Sequence, residues 1–161
     1  YVISASYTDK GSNGIPSLTN QVNLSLRSSQ LTVDQMDAKS KGVSSVSNNN
    51  QTYWLLKNND WVAVKNIDYK DLKGVEITAG ATTDGKIELY TDDPLKGSKV
   101  SEVSVLGSDL QKSPKLTKLY AELKLIKGNH DLYFVFKSKD PNDASSICVP
   151  GLFEFKFNDI K

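Results

Sequence analysis

The chain reads as all-β, two packed antiparallel sheets in a β-sandwich or jelly roll, and three observations carry that reading. The first is the stretch from Leu116 to Phe136. Leu119, Ala121, Leu123 and Leu125 alternate with Lys118, Tyr120, Glu122 and Lys124, and beyond Gly128-Asn129 the run His130-Asp131-Leu132-Tyr133-Phe134-Val135-Phe136 alternates again. Two period-2 runs across a Gly-Asn corner predict a β-hairpin with one buried and one wet face. The second is need: a hairpin of this length is not stable alone, so Leu119, Leu123, Phe134 and Phe136 require a second sheet to cover them. The third is spacing, since turn-forming clusters recur about every ten residues, the habit of sandwiches and jelly rolls. No heptad, internal repeat or helix of useful length interrupts the pattern.

In order, Tyr1 to Tyr7 predicts a strand, and Asp9-Lys10-Gly11-Ser12-Asn13-Gly14-Ile15-Pro16 a loop of turn formers. Val22, Leu24 and Leu26 alternate with Gln21, Asn23 and Ser25 as a second strand. Residues 1–30 form either the margin of the sandwich or the tail of a preceding domain, and residues 31–161 the sandwich itself. Leu31 to Met36 predicts a short strand, and Ala38 to Gln51, rich in Ser and Asn with almost no apolar content, a long surface loop. Tyr53-Trp54-Leu55-Leu56 and Trp61-Val62-Ala63-Val64 predict strands, and Val75, Ile77 and Ala79 the next apolar face. Thr83-Asp84-Gly85 predicts a hairpin corner leading to Ile87 and Leu89. Asp92 to Gly97 predicts a turn into Val100, Val103 and Val105, and Pro114 ends the polar connection to Leu116. Phe153, Phe155 and Phe157 supply the last strand.

Length and charge narrow the function classes. At 161 residues the chain suits one domain with a sizeable core, or a domain plus a short extra segment. With 20 basic and 19 acidic side chains interspersed at net +1, no basic stripe points to nucleic acid or an anionic membrane. No run approaches the ~18 apolar residues of a membrane-spanning helix. The chain opens at Tyr1 with no methionine and no leader, and reads as a segment of a longer protein. Cys148, the single cysteine, has no internal disulfide partner and reads as a small packed hydrophobe.

If the apolar member of each alternation faces inward, the outer faces carry Trp61, Tyr90, Tyr120 and Tyr133 among Glu76, Glu88, Glu122, Glu154, Lys65 and Lys118. Flat rings beside carboxylates suit sugars, whose C–H faces stack on rings while their hydroxyls form hydrogen bonds. The alternative is that tyrosines and cross-strand Lys/Glu pairs are ordinary features of half-exposed strands. Catalysis has little support. His130 is the only histidine and reads as structural, so neither a Ser-His-Asp nor a Cys-His arrangement is available. The many acids include no motif for a glycosidase pair. Zinc spacing, an EF-hand loop and a phosphate-binding glycine loop are all lacking, and Asp92-Asp93 reads as a solvated turn rather than a calcium contact.

Several segments together resemble carbohydrate-binding module family 6, a galactose-binding-like jelly roll. They are Leu31 to Asp37, Asn58-Asn59-Asp60-Trp61-Val62-Ala63, Asp84 to Asp92, Gly128-Asn129-His130-Asp131-Leu132-Tyr133-Phe134-Val135-Phe136, and Leu152 to Phe157, spanning roughly residues 31–158. The resemblance implies a non-catalytic module attached to secreted enzymes or surface proteins, and hence a secreted, periplasmic or cell-surface location. It also implies a loop-edge sugar cleft between two aromatic rings. Those positions here are Leu55 and Leu116 or Thr117, with Gly151 in place of an asparagine, so the usual cleft is not expected to bind sugar. A structural calcium is implied too, but of its ligands only Asp34 survives, beside Thr32 and Phe153. The resemblance places a second site on a concave sheet face using Trp61.

Two functions follow. One is a carbohydrate-binding module that takes a polysaccharide or oligosaccharide through Trp61, Tyr90, Tyr120, Glu76 and Glu88 and targets a larger secreted multidomain protein to it. The other is a module of the same fold that has lost sugar binding and serves as a structural or protein-interaction domain. Neither needs a cofactor, and neither involves nucleic acid or membrane insertion.

Overall fold

A computed structural model of the chain describes residues 2–25, 27–48, 51–108 and 115–157. Tyr1, Leu26 and Pro114 lie outside the described residues. Strands run in the order β1 (Val2–Thr8), β2 (Thr19–Ser25), β3 (Gln30–Thr32), β4 (Ala38–Lys39), β5 (Ser44–Asn48), β6 (Gln51–Lys57), β7 (Trp61–Asp68), β8 (Leu72–Ala81), β9 (Gly85–Thr91), β10 (Ser98–Val105), β11 (Thr117–Glu122), β12 (Asn129–Ser138) and β13 (Ile147–Phe157). A five-stranded sheet has the order β10-β9-β12-β7-β4, and a six-stranded sheet the order β11-β8-β13-β6-β5 with β3 also on β13. The two-sheet sandwich that the alternation demanded is present.

The core lies between these sheets. Val62, Val64, Ile87, Leu89, Leu132, Phe134 and Phe136 come from one side, and Val75, Ile77, Ala79, Phe153 and Phe155 from the other. Phe134 and Phe153 meet with ring centroids 4.6 Å apart and join the sheets at the middle. Burying a side chain of this size contributes about 1.5–3 kcal/mol.

Four expectations need correction. The run from Leu116 to Phe136 is two strands but not a hairpin: β11 pairs with β8, whereas β12 lies between β7 and β9 in the other sheet. Alternation fixes which face a residue takes, not which strand lies beside it. The alternation ends at buried Leu123, Leu125 is 89% exposed, and the chain crosses from one sheet to the other before Gly128, whose φ of +94° turns it into β12. Thr83-Asp84-Gly85 is likewise a crossover, because β8 and β9 belong to different sheets; the Asp84 carboxylate accepts the Gly107 N–H at 3.0 Å to hold it. Ala38 to Gln51 is not a loop throughout, since β4 and β5 lie within it. β5 pairs with β6 at a sheet margin, where backbone hydrogen bonds suffice without an apolar face. After Thr32 the predicted strand becomes a 3-10 turn over Val33–Gln35.

The first two strands form a separate ribbon, in register from Val2 opposite Ser25 to Thr8 opposite Thr19. Among the described residues it makes no ladder with either large sheet.

Candidate functional site

Trp61 is set by the turn before it. Asn59, at φ +69°, takes the left-handed conformation that lets β6 reverse tightly into β7. Asp60 is buried there, accepting the Lys57 N–H at 2.9 Å and the Ser40 hydroxyl at 2.6 Å. The Ser40 oxygen accepts the Trp61 N–H at 3.2 Å, and the Ser40 N–H donates to the Trp61 carbonyl at 2.9 Å. A Cβ on Gly42 would lie 2.2 Å from the Asp60 carboxylate, so only glycine allows this approach. The start of β7 is thus tied to the β4–β5 connection through Asp60.

Across the sheet, Tyr133 sits opposite Ala63 on one side and Tyr90 on the other, and Val135 opposite Trp61 and Glu88. With strands about 4.8 Å apart, Trp61 and Tyr90 flank Tyr133 on the outer face. The Trp61 and Tyr133 rings meet edge-on, centroids 5.1 Å apart at 71°. Ala63, Tyr133 and Val135 are buried as a second, small apolar cluster on the outside of the sandwich, against which Ala38, Trp61 and Tyr90 are partly buried. A tryptophan on the wet side is therefore supported by this cluster and half-buried.

A polar network adjoins these rings. The Tyr90 hydroxyl donates to Glu88 Oε2 at 2.8 Å. Lys86 and Lys99 reach Glu88 Oε1 at 3.0 and 3.3 Å, and both also reach Glu102 Oε2, at 3.1 and 2.7 Å. Burial alone pushes the Glu88 carboxyl up, but hydrogen bonds from Lys86, Tyr90 and Lys99 outweigh it and hold the group below the usual glutamate range. Burial and then the Glu88 hydrogen bond raise the Tyr90 phenol. The face therefore carries a fixed anion, ammonium donors and ring surface, an arrangement for holding polar ligands with flat apolar faces.

The structure brings together Trp61, Tyr90 and Glu88 and separates the other two predicted residues from them. Glu76 and Tyr120 are directly paired on β8 and β11, on the outer face of the six-stranded sheet, because Val75, Ile77 and Ala121 take the inward positions. All five therefore cannot form one site. Lys86, Lys99 and Glu102 join the Glu88 network without having been singled out by alternation; the signal in the sequence is Lys86-x-Glu88 at period 2, brought beside Lys99 and Glu102 by the β9–β10 hairpin. A hollow of about 910 Å³ lies elsewhere, between ribbon and sandwich, lined in part by Asn23, Arg27, Lys65 and Phe157.

The remaining candidates are structural. His130 Nδ1 lies 2.8 Å from Asp92 and its Nε2 3.0 Å from the Lys127 carbonyl, while its ring meets Tyr69 edge-on. Asp93 accepts the Leu95 and Lys96 N–H groups at 2.8 and 2.7 Å, so Asp92-Asp93 closes its own turn. Full burial pushes the Cys148 thiol up to about 12. At the loop edge, the Leu116 side chain is 3.2 Å from where a Cβ on Gly151 would stand, and Leu55 is half-buried. Asp34 accepts the Thr32 hydroxyl at 2.6 Å, and Phe153, where a second carboxylate is expected, is buried in register with Leu31. One carboxylate, a hydroxyl and a phenyl ring do not fit a calcium ion.

A sequence profile described as carbohydrate binding module (family 6) matches residues 16–148. No curated protein matches the chain. Among solved structures, it is similar to a family 6 carbohydrate-binding module from Clostridium cellulolyticum in complex with xylose, at 22% identity and TM-score 0.66, over 81% of this chain and 99% of that one. A β-1,3-glucan binding family 6 module from Bacillus halodurans is similar at 21% identity and TM-score 0.62, over 79% of this chain and 94% of that one. A glycoside hydrolase family 43 arabinoxylan arabinofuranohydrolase from Bacillus subtilis, in complex with cellotetraose, is similar at 16% identity and TM-score 0.66 over 85% of this chain. The chain spans only 29% of that enzyme's length.

Proposed function

The chain belongs to carbohydrate-binding module family 6, and we propose that it holds a glycan on the outer face of its five-stranded sheet. Trp61 and Tyr90 are the stacking surfaces, Tyr133 is the ring that supports Trp61, and Glu88, Lys86 and Lys99 are the hydrogen-bonding groups. The module does no bond-making or bond-breaking; it targets a larger secreted or surface protein to its polysaccharide. One observation carries this reading: two half-exposed rings flank a buried third beside a carboxylate held ionised by three donors. Sugars match that combination, since their C–H faces stack on rings and their hydroxyls bond to fixed donors and acceptors. Among the described residues no helix is long and apolar enough to cross a membrane.

A second reading, a module that no longer binds sugar, is favoured by Leu116 lying over Gly151 and by Leu55 where rings are expected. Affinity electrophoresis and a glycan array decide between the two, with xylan, cellulose fragments and β-1,3-glucan as first probes. Wild type is expected to bind at least one, and Trp61→Ala to lose most of that affinity. A folded wild type that binds none establishes the second reading. Full wild-type affinity retained by Trp61→Ala takes the main site off this face and moves it to the loop edge near Tyr53 and Trp54.

A further inference from the structure

We propose a second glycan platform on the opposite side of the molecule, built on Tyr120 at the outer face of the six-stranded sheet. The ligand class, a β-linked glycan with a flat C–H face, rests on the family reading above; the site itself rests on geometry.

Tyr120 is 52% exposed on β11, an edge strand paired with β8 alone. It lies opposite Glu76 and diagonal to Gly74, which pairs with Glu122. A Cβ on Gly74 would stand 2.7 Å from the Tyr120 hydroxyl and 2.8 Å from Cζ. The phenol end of the ring is therefore laid over the bare glycine backbone, and about half of the residue stays exposed. Any side chain at position 74 would lift it.

The groups around the ring are hydrogen-bonding ones. Glu76 and Glu154 are directly paired across β8 and β13. Lys118 reaches Glu76 at 2.8 Å and Lys156 reaches Glu154 at 2.7 Å. An ammonium has three donors and a carboxylate about four acceptor positions, so each ion pair keeps capacity for sugar hydroxyls. A protein partner would favour a hot-spot ring surrounded by water-excluding neighbours. Here one ring is surrounded by charges, which suits a sugar stacked on Tyr120 with its hydroxyls over the lysines and glutamates.

The two platforms face away from each other across a sandwich whose sheets are about 10 Å apart, so a short oligosaccharide cannot reach both. The module is then bivalent, holding two glycan chains or two stretches of one. Each platform alone binds weakly, and their linkage supplies the affinity for insoluble polysaccharide.

The test is NMR on the full chain with labelled tyrosine and tryptophan side chains, titrated with xylotriose, cellotetraose and a β-1,3-glucan oligosaccharide. The Tyr120 ring signals are expected to move with at least one sugar, in wild type and equally in Trp61→Ala. In the Trp61→Ala background, Tyr120→Ala is expected to weaken the residual binding about tenfold, while Tyr120→Phe, which keeps the ring over Gly74, retains it. Trp61 responding while Tyr120 stays still with all three sugars overturns the second platform and leaves the first standing. Tyr120 responding while Trp61 stays still overturns the first and keeps the second. Silence at both rings overturns both.

Discussion

The two outer faces of the sandwich use the same residue types to opposite effect. On the five-stranded sheet Tyr133 is only 9% exposed and the Glu88 side chain also 9%, whereas on the six-stranded sheet Tyr120 is 52% exposed and Lys118, which pairs with Glu76, is 68% exposed. Strand position accounts for the difference. Tyr133 is on β12, with β7 and β9 on either side, and Glu88 is on β9, between β12 and β10. Tyr120 is on β11, at the end of its sheet, with a neighbour on one side only. A central strand gives each outward residue cross-strand companions on both flanks, and an edge strand gives one. One alternation pattern thus yields a sheltered polar network in the first case and solvated pairs around an open ring in the second.

The largest perturbation should abolish the comparison by removing what both faces rest on. Phe134 is 1% exposed and meets Phe153 between the sheets. Phe134→Ala is expected to destabilise the domain by about 3–5 kcal/mol, read from urea denaturation. A loss below ~1 kcal/mol would show that the sheets are joined elsewhere.

Phe134 also shows how far sequence reasoning reaches. Its inward direction, like those of Leu132, Phe136, Ile77 and Phe153, followed from alternation alone, because burial of one face is a local, period-2 property. Its neighbours did not follow. Nothing in Thr117–Glu122 states that β11 pairs with β8 rather than with β12, since strand pairing is decided by the whole packing arrangement. The candidate site divides for the same reason: alternation points Trp61, Tyr90 and Glu88 outward, and Tyr120 and Glu76 as well, but carries no information that these are two faces. The short strands β4 and β5 carry no apolar signal, being held by backbone hydrogen bonds to β7 and β6.

A smaller effect separates the faces. Glu88→Gln leaves Lys86 and Lys99 with Glu102 alone and is expected to cost about 1–3 kcal/mol, while Lys118→Gln, which removes a 68% exposed ammonium from the edge strand β11, should leave the denaturation midpoint unchanged within error. The pH dependence gives an independent reading. The folded Glu88 carboxyl titrates below its ordinary value of 4.5, so the stability it contributes is present above that value and is lost as pH falls through the folded one. Wild type should therefore lose stability on acidification more steeply than Glu88→Gln. Equal slopes would place Glu88 among the solvated pairs. Tyr90→Phe, which deletes one of the donors to Glu88 but keeps the ring, should cost about 1 kcal/mol.

The smallest effect tests whether shelter, rather than sheet membership, decides the strength of a pair. His130 opens the same β12 that carries Tyr133, yet its pair with Asp92 is solvated, with side chains 30% and 57% exposed. The hydrogen bond to Asp92, and then that to the Lys127 carbonyl, raise the imidazole above its ordinary 6.5. The stability from this pair is thus fully present below pH 6.5 and is lost as pH rises through the folded value, the opposite direction to Glu88. Screening limits it to at most about 1 kcal/mol. His130→Gln should flatten the wild-type decline on the alkaline side of 6.5 while leaving the acid side unchanged. A His130 effect as large as that of Glu88 would mean that membership of the five-stranded sheet, not burial by flanking strands, sets these energies.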